Sequence, residues 1–237
     1  MPTLTRLVPG PAESRDIDDP GTRDWLTGLY APGARSFLRL NFVASVNGSV
    51  VGEDGTSGSL TSRADRTILG VLRAAADVVL VGARTVRREG YVSPKSARLA
   101  IVTRSGDLTG VTFRDASTPP LIVCPASAAS RVDEQLGRTP YELVPLSGES
   151  MDPGEVRRLL EDRGLPGIVC EGGPSLAAQF VDAGMVDELC LTTSPRLRAP
   201  GLPLFPRLAD TVDARLASLL ADDDGFLYAR WALSSRA

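Results

Sequence analysis

From residue 37 onward, short runs of consecutive apolar residues alternate with stretches whose apolar positions recur every three or four residues. The first pattern is that of strands buried on both faces, the second that of amphipathic helices. The pattern predicts strands over residues 37–46, 77–81, 99–103, 121–124, 141–144, 167–170 and 188–192. It predicts helices over residues 126–136, 153–163 and 174–183, and one that Thr61 or Ser62 caps and that runs to about residue 75. Residues 54–59 read as a loop, and residues 82–88 as a turn that opens another helix. Alternating strands and helices of this kind build parallel βαβ units. The tail departs from the pattern. Residues 215–220, an Asp-rich turn and residues 226–233 read as a hairpin. The fold class is therefore α/β, a mostly parallel central sheet with an antiparallel C-terminal hairpin.

Residues 1–36 are rich in Pro, Gly and Asp and read as an irregular extension, followed by one domain over residues 37–237. Within the extension Trp25, Leu26, Leu29 and Tyr30 have helical spacing, which predicts a helical turn or two packed on the domain.

Composition narrows the function. A chain of 237 residues with 43% hydrophobic and 23% charged positions can build a sizeable core. A net charge of −3 argues against a nucleic-acid binder, and no apolar run approaches the ~18 residues of a membrane span. The N-terminus lacks a signal-peptide pattern, so a cytoplasmic location is expected. There is no histidine, which removes histidine-based acid–base and nucleophile chemistry and histidine zinc sites. No metal is expected. Cys124, Cys170 and Cys190 each fall in an apolar run and read as buried, reduced thiols.

Four segments carry candidate chemistry. In Cys170-Glu171-Gly172-Gly173-Pro174-Ser175 a strand ends, two glycines follow and proline opens a helix. Such a turn brings backbone N–H groups and a helix N-terminus to an anion, and it also suits a tight turn with proline at its preferred position. Gly82-Ala83-Arg84-Thr85-Val86 repeats the strand-to-helix form. Thr103-Arg104-Ser105 places an arginine between two hydroxyls at a strand end, which suits a phosphate monoester or a solvated turn. Asn41 to Gly48, followed by a glycine-rich loop over residues 52–58, offers small residues against which a flat ring can lie.

In this order the elements resemble the pyrimidine reductase domain of riboflavin biosynthesis, which has a dihydrofolate-reductase-like three-layer fold. The resemblance rests on Ala44-Ser45-Val46-Asn47-Gly48, Leu60-Thr61-Ser62 with Arg66, Asp77-Val78-Val79-Leu80-Val81-Gly82 with Thr85-Val86, Glu171-Gly172-Gly173-Pro174, and Val186-Asp187-Glu188-Leu189. It implies NADPH as cofactor. Gly172, Gly173, Pro174 and Ser175 with Gly82, Thr85 and Val86 would hold the diphosphate. Thr103, Arg104 and Ser105 would take the 2′-phosphate, and Ala44 and Gly48 would flank the nicotinamide. Ser45, Thr61, Ser62, Arg66 and Glu171 would bind substrate. The reaction implied is hydride transfer to the ribosyl C1′ of 5-amino-6-(5-phosphoribosylamino)uracil, by a homodimer joined through its C-terminal strands.

The catalytic candidates are Glu89, Asn41 and Asn47. Glu89 falls where the family's first acidic residue belongs, within Arg87-Arg88-Glu89-Gly90-Tyr91. It is the acid or substrate-orienting candidate. Asn41 stands where many members carry lysine and Asn47 where they carry aspartate, and an amide orients but does not donate a proton at pH 7. Arg87, Arg88, Lys95 and Arg98 are further cations for a substrate phosphate. These departures leave two other readings. One is a reductase of another heterocycle, such as dihydrofolate or a pterin. The other is a noncatalytic NADPH-binding protein. Without histidine, these 237 residues are not expected to include the zinc deaminase domain that bifunctional relatives carry.

Overall fold

The computed structural model describes residues 3–90, 93–113 and 118–234, so Tyr91 and residues 235–237 lie outside the described residues. In chain order the elements are β1 (Thr3–Val8), β2 (Glu13–Asp16), α1 (Pro20–Leu29), β3 (Phe37–Ser45), α2 (Arg63–Ala74), β4 (Val78–Gly82) and α3 (Ala83–Glu89). There follow β5 (Arg98–Val102), β6 (Leu121–Pro125), α4 (Ala129–Leu136), β7 (Glu142–Leu146), α5 (Pro153–Glu161) and β8 (Gly167–Cys170). The chain ends with α6 (Pro174–Asp182), β9 (Glu188–Ser194), β10 (Ala214–Asp222) and β11 (Leu227–Leu233). One sheet takes all the strands in the order β2-β1-β10-β11-β9-β3-β8-β4-β5-β6-β7.

From β9 to β7 neighbouring strands run parallel, and β11, β10, β1 and β2 continue the sheet antiparallel. This is the predicted α/β sheet with its C-terminal hairpin. Strand side chains alternate between faces. Leu38, Leu40, Phe42 and Ala44 of β3 join Val156, Leu160, Leu176 and Phe180 of α5 and α6 in the main core. On the opposite face Leu26 of α1 and Ala64, Ile68, Val71 and Leu72 of α2 pack with Cys190, Leu220 and Tyr228. Helices α3 and α4 cover the same side further along, over Val81, Ile101 and Ile122. The sheet is thus the middle of three layers. Cys124, Cys170 and Cys190 are free and buried. Among the described residues no helix is long and apolar enough to cross a membrane.

The N-terminal segment differs from the irregular extension expected. Thr3–Val8 pairs with β10, Leu4 opposite Asp222, and β2 folds back on β1. Leu4 is fully buried. The following helix starts earlier than its aromatic spacing implies, because Asp19 caps it by accepting from the Gly21 amide at 2.7 Å and Pro20 occupies its first turn. The expected packing of this helix is present, with Leu26 and Tyr30 buried against α2.

Candidate active site

The carboxyl ends of β3, β8, β4 and β5 lie side by side, where ligands of open α/β sheets collect. Two glycine turns meet there. The Gly82 amide donates to the Gly172 carbonyl at 2.7 Å, and the Glu171 amide to that of Leu80 at 2.9 Å. The Gly172–Gly173 peptide is cis. Gly172 has φ +85°, and a Cβ there would stand 2.7 Å from the Phe42 ring. A Cβ on Gly173 would stand 2.9 Å from Thr85 Oγ1. Backbone therefore forms the surface of the cradle. Gly173 is the N-cap of α6 and supplies no side-chain cap; Pro174 has no N–H and the Leu176 and Ala177 amides donate to the Gly173 carbonyl at 3.0 and 3.1 Å, which leaves the Ser175 amide for another acceptor. The donors suit an anionic diphosphate.

Among the predicted cofactor residues, Gly82, Thr85, Gly172, Gly173, Pro174 and Ser175 come together at this cradle. Val86 is buried in the core beside Val81, so it packs α3 rather than facing the cleft. Thr103 is buried at the end of β5, and Arg104 and Ser105 are exposed beyond it. Ser105 Oγ accepts from the Asp107 amide at 3.3 Å.

The other wall is built by β3 and α2. Ala44 and Ser45 are buried, and Gly48 takes φ +83° in the turn that follows. Asn41 lies two residues from Arg39 and Val43 on the face turned to α2, beside Cys190 in register. Asn47 points elsewhere. Its Oδ1 accepts from Ser45 Oγ at 2.7 Å and from the Arg198 amide at 2.9 Å, and its Nδ2 donates to the Arg198 carbonyl at 2.7 Å. Asn47 thus staples the chain leaving β9 to the chain leaving β3.

Glu171 accepts two hydrogen bonds of 2.7 Å from Arg73, one on each oxygen. Ser62 caps α2 by accepting from the Asp65 amide at 3.1 Å, and shares a 2.8 Å bond with Tyr228 Oη. Tyr228 in turn donates to Asp222 at 2.6 Å. Thr61 donates to Asp65 Oδ2, and Thr192 donates to Asp65 Oδ1 at 2.6 Å. Burial pushes the Asp65 carboxyl above its usual range, against the lowering effect of Thr192, Thr61 and Arg66. Arg66 is exposed at the first turn of α2. Arg98 starts β5, at the amino end of the parallel strands, and pairs with Glu142 at 2.6 Å, which removes it from the cleft.

The glycine-rich loop is held from both flanks. Both oxygens of Glu89 accept from the Ser57 amide at 3.1 Å, and Oε2 accepts from Ser57 Oγ at 2.9 Å. The Arg88 guanidinium lies against Gly55, 2.7 Å from where a Cβ would be. On the other flank Arg198 donates to the Gly52 carbonyl at 3.1 Å and Arg196 to that of Ser59. Between these arginines and the loop lies a cavity of about 260 Å³. Helix α3 therefore starts at the glycine cradle and ends at the anchor of the loop.

Sequence reasoning missed Asp65, Arg73, Ser57, Arg196 and Arg198. The only local signal was the spacing Ser62-x-x-Asp65, which reads as helix capping. The others gain their roles from partners remote in sequence.

Comparison with known proteins agrees with this geometry. Residues 36–228 match the RibD C-terminal domain family model. The riboflavin biosynthesis protein RibD of Mycobacterium tuberculosis is 31% identical over 189 residues, 74% of this chain and 46% of that protein. That of Bacillus amyloliquefaciens is 26% identical over 170 residues, 68% of this chain and 46% of that protein. The chain thus spans about half the length of the curated relatives it matches. Among solved structures, a pyrimidine reductase-like protein from Corynebacterium diphtheriae superposes with a TM-score of 0.74 at 25% identity, covering 91% of this chain and 99% of that one. A family match over most of the chain, on a sheet whose two glycine turns form one backbone cradle, leads to one assignment: the chain belongs to the RibD C-terminal domain family.

Proposed function

We propose that this protein is an NADPH-dependent reductase of 5-amino-6-(5-phosphoribosylamino)uracil, acting in riboflavin biosynthesis. The observation that carries the reading is the paired glycine cradle at the carboxyl ends of β8 and β4, beside the small-residue exit of β3. The cradle fits the cofactor, because any side chain at Gly172 or Gly173 would fill it. The Ser175 amide at the start of α6 and the Thr85 hydroxyl would hold the diphosphate, and Thr103, Arg104 and Ser105 would hold the 2′-phosphate. Ala44 and Gly48 would flank the nicotinamide. Bound there, the nicotinamide supplies hydride.

This chain's own residues do the rest. Asn41 and the Glu171–Arg73 pair line the wall facing α2 and orient the base. Thr61, Ser62, Ser45 and Arg66 form the substrate side, where Arg66 offers a guanidinium for the phosphate. Asn47 fixes the turn after β3. Glu89 holds the loop over residues 52–58 across the mouth and so limits water. Alignment of two bound reactants is worth about 7–11 kcal/mol of barrier in favourable cases.

The family likeness also supports a homodimer in the cytoplasm. Trp231, Leu233, Leu204 and Phe205 remain only partly buried on one face, which suits a second copy. Mass measurement should give twice 25.0 kDa, and a stable single chain would overturn the dimer.

The deciding experiment follows NADPH oxidation by the purified protein with the ribosylaminouracil phosphate and, in parallel, with dihydrofolate. Turnover of the uracil compound alone is expected. Turnover of dihydrofolate alone would transfer the cleft to another heterocycle, and binding of NADPH without any turnover would make the protein a noncatalytic binder.

A further inference from the structure

We propose that Asp65 is a specificity-determining residue, whose carboxylate accepts the adjacent N–H donors of the substrate's aminopyrimidine base. The inference rests on the pyrimidine reductase reading and names the group that recognises the base.

Asp65 is only 9% exposed, on the first turn of α2. Among the described residues it forms no ion pair. The charged and titratable groups around it are Arg66 on its own helix, Glu171 after β8, Tyr228 on β11 and Tyr30 at the end of α1. Of these only Arg66 is cationic, and it is exposed. A desolvated carboxylate without a paired cation is costly, and a residue kept at such a cost is a candidate for function.

The two bonds that Asp65 makes within the chain do not call for a charge. Both come from hydroxyls, Thr61 Oγ1 and Thr192 Oγ1. An asparagine in that place, with one threonine hydroxyl rotated, would tie α2 to β9 without the desolvation. An ionised carboxylate has about four acceptor directions, and the threonines use two. Two remain for a ligand.

The position suits the base. Thr192 stands opposite Val43 in register, and Ala44 follows at the end of β3. Asp65 therefore projects from α2 toward the last residues of β3 and β9. Asn41 lies on the same face, and Glu171 is close enough to act on the charge of Asp65.

The chemistry also matches. In a 6-aminouracil the ring N1–H and the exocyclic N–H are neighbours and can point the same way. A carboxylate takes such a pair in a two-pronged grip. The exocyclic nitrogen carries the sugar carbon that is reduced, so holding it fixes the reacting bond. A base with an acceptor or a methyl group at that edge would leave the carboxylate buried and unpaired, which is how polar sites reject analogues strongly.

The test is calorimetric binding of 5-amino-6-(ribitylamino)uracil 5′-phosphate and of its N1-methyl analogue to the NADPH-loaded protein. Wild type and Asp65→Asn are compared, and NADPH affinity is measured separately. The expected result is a loss of about 10- to 100-fold in affinity for the unmethylated ligand in Asp65→Asn, with NADPH affinity within about twofold of wild type. Methylation should weaken wild type by a similar factor and the variant by much less. A purely structural Asp65 would not couple to one ligand atom in this way. Equal binding of the two ligands by wild type overturns the proposal, even if Asp65→Asn fails to fold. Unchanged affinity in Asp65→Asn overturns it as well. A wild type that binds NADPH but neither pyrimidine overturns the pyrimidine reading itself, and the proposal with it.

Discussion

The carboxylate of Glu171 is gripped by the guanidinium of Arg73 through two hydrogen bonds of 2.7 Å, although 98 residues separate them in the chain. Glu171 directly precedes the glycine turn, and Arg73 lies in the last turn of α2. The wall that would hold substrate and the turn that would hold cofactor are therefore one rigid unit. Each lies on a different element of the fold, and the fork-to-fork geometry fixes orientation as well as distance.

Removing Arg73 should be costly. Glu171 is 9% exposed and Arg73 is 20% exposed, so an Arg73→Met change removes both guanidinium bonds from a mostly buried carboxylate. A fully buried pair broken in this way costs about 3–5 kcal/mol, and the residual exposure of Arg73 lowers the expectation to about 2–4 kcal/mol. Urea unfolding should show the loss. Arg73→Lys should recover only part of it, because an ammonium cannot donate to both oxygens in one plane.

Gly172→Ala should destabilise the protein for two reasons that add. The residue adopts φ +85°, a conformation that costs an L-residue about 1–2 kcal/mol, and the new methyl would meet the Phe42 ring at 2.7 Å. A total of about 2–4 kcal/mol is expected in denaturant titration. NADPH affinity should fall together with stability, because Phe42 and the cradle share that contact.

What the sequence made readable was local. Val78-Val-Leu-Val and Leu121-Ile-Val-Cys are apolar runs that need no partner to be recognised as strands. Gly172-Gly173-Pro174 announces its turn within three residues. Strand β1 escaped because its pairing partner β10 lies more than 200 residues away, and Leu4 is its only fully buried side chain. Asp65 escaped for the same reason. Its spacing from Ser62 is that of a helix cap, while its burial depends on Thr192, 127 residues on. Glu89 is singled out by position, yet its partner Ser57 lies 32 residues back, so its grip on the loop was not readable.

Two variants separate a loop anchor from a proton donor at Glu89. The carboxylate accepts three hydrogen bonds from Ser57. If it anchors the loop, Ser57→Ala and Glu89→Gln should both raise KM, by about threefold and tenfold on hydrogen-bond energies of about 0.5–1.5 kcal/mol. The double variant should be less than additive, because the two residues act through one contact. Glu89→Gln should keep most of kcat. A proton donor would behave otherwise. Glu89→Gln would then lose kcat by about 10²–10⁴-fold while Ser57→Ala left it unchanged.

Asp65 gives a prediction whose sign depends on burial. Its carboxyl is held above the ordinary value of 3.8, chiefly by desolvation. A group whose folded pKa is raised favours the folded state while protonated in both states. That contribution is present below 3.8 and is lost as the pH rises through the folded pKa. At neutral pH Asp65 therefore weakens the fold relative to acid pH. Asp65→Asn removes the charge and keeps the shape, with the Thr61 and Thr192 hydroxyls able to reorient towards an amide. The variant should melt at a higher temperature than wild type at pH 7. The difference should shrink as the pH falls and vanish below 3.8, where wild type is itself neutral at this position. Measuring the difference in Tm across the pH range cancels every group that the two proteins share. A variant less stable than wild type at pH 7 would show that the ionised carboxylate holds α2 to β9 more strongly than its burial opposes it. Greater stability with weaker binding of the pyrimidine would identify Asp65 as a group retained for recognition at the expense of the fold.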